Sequence, residues 1–128
     1  MAVWVASSNC SWRAPSAGCE RKMTIQIYAI NLDRSADRWA RLSKQAVELS
    51  LELVRVRALD GGQVPAQDRI DCNERLFWRN NGRTILPGEY GCYRSHLKAL
   101  STFLEGGGPI GIVAEDDIEL NAELLSRV

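Results

Sequence analysis

Hydrophobic and polar positions settle into a regular alternation of elements from about residue 23 onward. Residues 24–32 (TIQIYAINL) form a β-branched, apolar run of the kind a buried strand requires. Asp33 and Ser35 are suitable helix N-caps, and Trp39, Leu42, Ala46 and Leu49 then recur at helical spacing. The pattern predicts a second strand over 51–58, with Val54, Val56 and Ala58 on one face and Arg55 and Arg57 on the other. Gly61-Gly62 and Pro65 close that strand. A strand–helix–strand unit of this length fits a right-handed parallel crossover.

The stretch 63–86 is weakly patterned; a helix is expected over 69–78, and Asn80-Asn81-Gly82 is a turn signal. Pro87 suits a helix start, and 89–105 is the strongest helical segment of the chain. Tyr90, Tyr93, Leu97, Leu100 and Leu104 alternate spacings of three and four, which predicts one apolar stripe facing the core. The glycine run after Glu105 ends the helix. Residues 110–114 (IGIVA) are then a short apolar strand, followed at once by Glu115-Asp116-Asp117. Alternating strands and helices argue for an α/β fold, a mostly parallel sheet with flanking helices. Ligands in such sheets bind beyond the carboxyl ends of the strands. Polar clusters stand at three such ends: 31–34, 60–62 and 115–117.

Residues 1–22 change the picture at the front of the chain. They are rich in Ser, Ala and Cys, have no period, and carry Pro15 and Gly18. They are expected to be a disordered leader, with the ordered domain spanning 23–128; only 1–6 are apolar, too little for a signal peptide. Composition adds exclusions: 45% hydrophobic and 25% charged residues are ordinary for a globular protein. Nothing approaches the ~18 apolar residues of a membrane span. Sixteen basic and sixteen acidic side chains cancel, which removes weight from a nucleic-acid binder. The four cysteines, Cys10, Cys19, Cys72 and Cys92, show no C-x-x-C spacing and are expected to be free thiols in a reducing cytoplasm.

Candidate chemistry centres on the acidic triplet. Three adjacent carboxylates repel, and a hard cation such as Mg²⁺ or Mn²⁺ relieves the repulsion while bridging phosphate oxygens. Alternate residues of an extended segment share a side, so Glu115 and Asp117 are the expected metal pair. The competing reading is a solvated loop or helix start, where acids are also favoured. Asn31, Arg34 and Arg38 follow the first strand; an amide can read a base edge and the arginines can reach phosphate. The plainer alternative makes Asp33 a cap and both arginines surface charges. His96, the only histidine, is expected near the edge of the apolar face, and Cys92 is not expected to be a nucleophile.

Four blocks together resemble glycosyltransferase family 25, the lipopolysaccharide-type galactosyltransferases and their collagen-modifying relatives. They are Ile30-Asn31-Leu32-Asp33-Arg34 with Asp37-Arg38, then Val56-Arg57-Ala58-Leu59-Asp60-Gly61. The third runs from Leu86-Pro87-Gly88-Glu89-Tyr90-Gly91-Cys92 through Tyr93-Arg94-Ser95-His96 to Leu100, and the last is Ile112-Val113-Ala114-Glu115-Asp116-Asp117. The resemblance implies a GT-A, Rossmann-like fold truncated at its C-terminus, transferring a sugar from a UDP-sugar such as UDP-galactose to a lipopolysaccharide, lipooligosaccharide or related glycan. It implies donor contacts from Asn31, Arg34, Arg38, Asp60, Ser95 and His96, with Mn²⁺ or Mg²⁺ on Glu115 and Asp117. Transfer with inversion implies a carboxylate base, for which Glu89 and Asp116 are the candidates. A cytoplasmic location follows, at most peripheral at the inner membrane.

Two other readings compete. A non-catalytic remnant would keep the donor contacts without transferring sugar. A receiver-like phosphoacceptor domain also clusters acids at strand ends, but it would need them after the first strand.

Overall fold

A computed structural model describes residues 4–7, 25–106, 108–121 and 123. Four strands form one sheet: β1 (Trp4–Ser7), β2 (Gln26–Asn31), β3 (Glu52–Arg57) and β4 (Ile110–Glu115). Their order is β1-β4-β2-β3. β2 pairs in parallel with both β3 and β4, placing Ile30 opposite Val56 on one side and Glu115 on the other. β1 runs antiparallel to β4 at the edge, Trp4 opposite Val113. Of the leader expected to be disordered, only this strand falls among the described residues; the rest lies outside them.

The central strands are apolar between their ends, over 27–30 and 110–114, because both faces of the sheet are covered. Ile27, Tyr28, Ala29 and Ile30 are all buried, as are Ile112, Val113 and Ala114. On one face α1 (Ala36–Glu48) lays Leu42 and Ala46 against Ile27, Ala29, Ile112, Ala114, Ile118 and Leu120. On the other face α3 (Pro87–Gly106) packs Ala99 and Phe103 against Tyr28, Ile30, Val56 and Val113. Tyr28 and Phe103 meet edge to face at 5.8 Å, a geometry worth about 1 kcal/mol beyond the area it buries. The expected α/β architecture, parallel sheet with flanking helices, is the one observed.

Three local expectations are corrected. The buried face of α3 is not the large apolar stripe. Tyr90 is buried, but Tyr93, Leu97, Leu100 and Leu104 range from 37% to 67% exposed. The line Gly91, Ser95, Ala99, Phe103 faces inward instead. Small side chains let α3 approach the loop after β3 until backbone meets backbone, and that close contact prevails over the leucines. The middle helix, α2 (Glu74–Asn81), starts later than 69 because Asp71 has a left-handed φ of 58° and Asn73 supplies the N-cap, accepting from Leu76 N at 2.9 Å. At α1, Ser35 occupies the N-cap position without a side-chain cap bond. Asp33 pairs instead with Arg55 and Arg57 on β3.

Candidate functional site

β2, β3 and β4 are parallel, so their carboxyl ends open on one edge of the sheet. There the chain turns into α1, into the loop 58–62 and into the acidic triplet respectively. A cavity of about 220 Å³ lies at this edge, floored by Ile30 and walled by α3. Its polar lining is Arg34, Arg38, Asp60, Ser95, His96, Glu115 and Asp116. All seven were singled out from the sequence, and the fold brings them together from four separate segments.

Two glycines shape the wall. Gly61 is buried directly against the start of α3, and a Cβ there would overlap the Pro87 carbonyl oxygen. A Cβ on Gly91 would sit 2.6 Å from the Leu59 carbonyl oxygen. Ser95 seals the same junction: its hydroxyl accepts from Leu59 N at 2.8 Å and donates to the Gly91 carbonyl at 2.6 Å. Ser95 therefore braces the cavity wall, since both of those bonds stay within the protein. Asp60 caps the 3-10 turn Gly61–Gln63, accepting from Gly62 N, and its other oxygen pairs with Arg34.

Asn31 lies behind the cavity rather than in it. The side chain is 1% exposed and all four of its hydrogen-bonding positions are taken. Its amide donates to the Ser35 carbonyl (3.0 Å) and to Asp116 Oδ2 (2.6 Å). Its oxygen accepts from Arg55 Nε (3.0 Å) and from the Arg55 guanidinium terminus (2.5 Å). Arg55 in turn lies over the Trp39 ring at 5.3 Å. Asn31 thus ties together the ends of β2, β3 and β4 and the start of α1. Asp116 also accepts from Arg38 (3.3 Å), and its backbone carbonyl accepts from Arg41 (3.3 Å).

The triplet does not converge on a point. Asp116 turns toward Asn31, Asp117 is exposed, and Glu115 faces α3. There it meets Cys92, whose thiol donates to Glu115 Oε1 at 3.5 Å, and His96, whose Nε2 is 3.8 Å from the same oxygen. Burial, and then the Glu115 carboxylate beside it, push the Cys92 thiol up from its usual pKa. The sequence gives no reason to place Cys92 in a site, because its position beside Glu115 depends on the rotation of α3.

Glu89 stands outside the cavity. Both of its oxygens are held by Arg83, at 2.6 and 2.8 Å, and one also accepts from Leu86 N at 2.8 Å, in the manner of a capping box. The Arg83 hydrogen bonds, then the Leu86 N–H, hold the carboxyl at about 2, below its ordinary 4.5. A depressed carboxylate contributes stability that is present above the unfolded pKa and lost as pH falls through the folded one. Glu89→Gln is therefore expected to lower stability at pH 7, with the deficit shrinking between about pH 4.5 and pH 2. Urea titrations across that window check it; a deficit that stays constant with pH contradicts the assignment.

In parallel α/β domains ligands bind at the carboxyl ends of the strands, which is where this charged cavity lies. Residues 24–128 match glycosyltransferase family 25 (LPS biosynthesis protein), and the chain belongs to that family. Membership makes it a glycosyltransferase of the lipopolysaccharide-biosynthesis kind, and implies in general a nucleotide-sugar donor and a glycan acceptor. No match was found among curated proteins or among solved structures. Among the described residues, no helix is long and apolar enough to cross a membrane.

Proposed function

We propose that the cavity is the donor site of a GT-A-type transferase that takes a UDP-sugar, with galactose as the sugar. The acceptor in this reading is a lipopolysaccharide or lipooligosaccharide, met in the cytoplasm at the inner face of the membrane. The observation that supports it best is the placement of Arg34, just after β2, and Arg38, in the first turn of α1, in the lining of the cavity that also holds Glu115. A diphosphate is recognised by guanidinium groups through charge-assisted, often bidentate hydrogen bonds. Both arginines are held by carboxylates, Arg34 by Asp60 and Arg38 by Asp116, so they are positioned before the ligand arrives.

Charge also points to a cation. Two arginines face three acids (Asp60, Glu115 and Asp116) in the cavity lining, so a diphosphate meets a net negative wall. Glu115 and the exposed Asp117 offer carboxylate oxygens that suit Mn²⁺ or Mg²⁺, whose remaining positions go to water and phosphate. When bound, such an ion would offset the charge of the departing diphosphate. Asp116 is the residue between them, and its bonds to Asn31 and Arg38 give it a positioning role in this reading. Gly61 and Gly91 let backbone form the cavity wall, and in this reading the Asp60 carboxylate would also accept from a ribose hydroxyl.

Calorimetric titration of the chain with UDP-galactose, with and without Mn²⁺, tests the donor site. Arg38→Ala is expected to weaken donor binding roughly tenfold or more, the scale of one charge-assisted hydrogen bond. Unchanged affinity in that variant, or no metal-dependent binding in the parent, removes the reading. Binding without transfer to a lipopolysaccharide acceptor would leave the non-catalytic remnant.

A further inference from the structure

Cys92 and His96 stand one turn apart on α3 and face Glu115 at the end of β4. The ligand atoms of the three residues lie within 4.8 Å of one another, and among the described residues no other group of three such side chains does so. The histidine tautomer is set by its surroundings. Nδ1 lies 3.0 Å from the Cys92 backbone carbonyl, which can only accept, so the proton belongs on Nδ1. In the neutral imidazole that leaves Nε2 with its lone pair. Nε2 is closed off from solvent, has no hydrogen-bond partner, and is turned toward Glu115. A buried, unpartnered acceptor next to a carboxylate oxygen is unfavourable without a third party, and a cation between them satisfies both.

We propose that Cys92 Sγ, His96 Nε2 and Glu115 Oε1 form a three-ligand site for a zinc-class cation, its fourth position open to the cavity. The two spacings to Glu115 support it. Zinc holds sulfur at ~2.3 Å and nitrogen or oxygen at ~2.0–2.2 Å, so tetrahedral geometry separates sulfur from oxygen by roughly 3.5 Å and nitrogen from oxygen by roughly 3.4 Å. The observed separations are 3.5 Å for Cys92 Sγ to Glu115 Oε1 and 3.8 Å for His96 Nε2 to Glu115 Oε1. Closing the second needs only a few tenths of an ångström of side-chain movement. The Nδ1–H to carbonyl bond is the outer contact that normally orients a metal-binding imidazole.

The donor set also selects the ion. A thiolate and an imidazole favour zinc and its neighbours, whereas Mg²⁺ and Mn²⁺ favour oxygen. On binding, the Cys92 S–H bond breaks, the proton leaves to solvent, and the sulfur electron pair goes to the cation. Thiolate and carboxylate together then balance a dication, with the imidazole neutral. Glu115 is shared with the proposed donor site, but zinc capture needs no donor and is measured without one.

Titration of the full chain with Co²⁺ reports directly on the sulfur. The expected result is one equivalent bound, with a sulfur-to-cobalt charge-transfer band that Zn²⁺ abolishes by displacement and equimolar Mn²⁺ does not. Cys92→Ser is expected to remove the band, while Cys72→Ser, Cys10→Ser and Cys19→Ser retain it. His96→Gln and Glu115→Gln are expected to weaken the ion by more than the ~10–100-fold that losing an outer partner costs, with far-ultraviolet circular dichroism unchanged. A band that survives Cys92→Ser, equal displacement by Mn²⁺, or unaltered affinity in both His96→Gln and Glu115→Gln overturns the site.

Discussion

Gly61→Ala is expected to destabilise the fold by about 3 kcal/mol or more, toward the upper end for overpacking by a single methyl group. The added Cβ would overlap the Pro87 carbonyl oxygen and lie 2.8 Å from Gly91 N, and all of these obstructing atoms are backbone. A flexible side chain could swing aside, but the first turn of α3 cannot move without taking the helix with it. Displacing that turn would also break the part-buried bond from Leu59 N to Ser95 Oγ. Gly88→Ala is the matched control. A Cβ there has nothing within 4 Å, and alanine is the better helix former, so stability should hold or rise slightly. Urea denaturation of the two variants decides the matter. If Gly61→Ala falls within ~1 kcal/mol of the parent, the backbone contact between loop and helix is not tight enough to set the cavity wall.

That contact also explains which parts of the fold were legible beforehand. The order of elements was readable because β2 and β4 are covered on both faces, which demands uninterrupted apolar runs such as Ile27 to Ile30. The face of α3 was not. Hydrophobic periodicity weighs Leu97, Leu100 and Leu104 heavily and Gly91, Ser95 and Ala99 hardly at all. Yet van der Waals approach rewards the small residues when a backbone segment lies opposite. Asp60-Gly61-Gly62 in the facing loop was the available clue, since a glycine pair there permits an equally small helix face.

The same rotation governs the site. Arg34, Arg38, Asp60, Glu115 and Asp116 were legible because strand-end positions in a parallel sheet converge whatever the side-chain packing. Cys92 was not, because successive positions on a helix are about 100° apart. With the leucine stripe inward, Cys92 would have no reason to meet β4. With Gly91, Ser95 and Ala99 inward, Cys92 and His96 are carried to the edge facing Glu115. Asn31 is the reverse case: an amide at a strand end suggests a ligand contact, and nothing in the sequence says that Arg55 and Asp116 will meet it from both sides.

Asn31→Leu is the second large effect. The two side chains branch alike, so the change removes the hydrogen bonds, and the greater bulk of leucine adds overpacking to the loss. Asp116 loses its shortest bond, the 2.6 Å contact from the Asn31 amide, in a residue only 8% exposed. Arg55 loses the acceptor of two bonds, and the Ser35 carbonyl at the head of α1 loses its side-chain donor. Losing a hydrogen bond to a charged group costs roughly 1.5–3 kcal/mol, and Asp116 keeps Arg38 while Arg55 keeps Asp33, so neither charge is left unpaired. A loss of that size is expected in urea denaturation. Asn31→Asp separates geometry from charge. It preserves the acceptor for Arg55 but sets a second carboxylate against Asp116, so its deficit should be large at pH 7 and shrink as acid protonates one of the pair. If Asn31→Leu costs less than ~1 kcal/mol, or if Asn31→Asp shows no such pH dependence, the strand ends are held together by packing alone and the amide is free for a ligand after all.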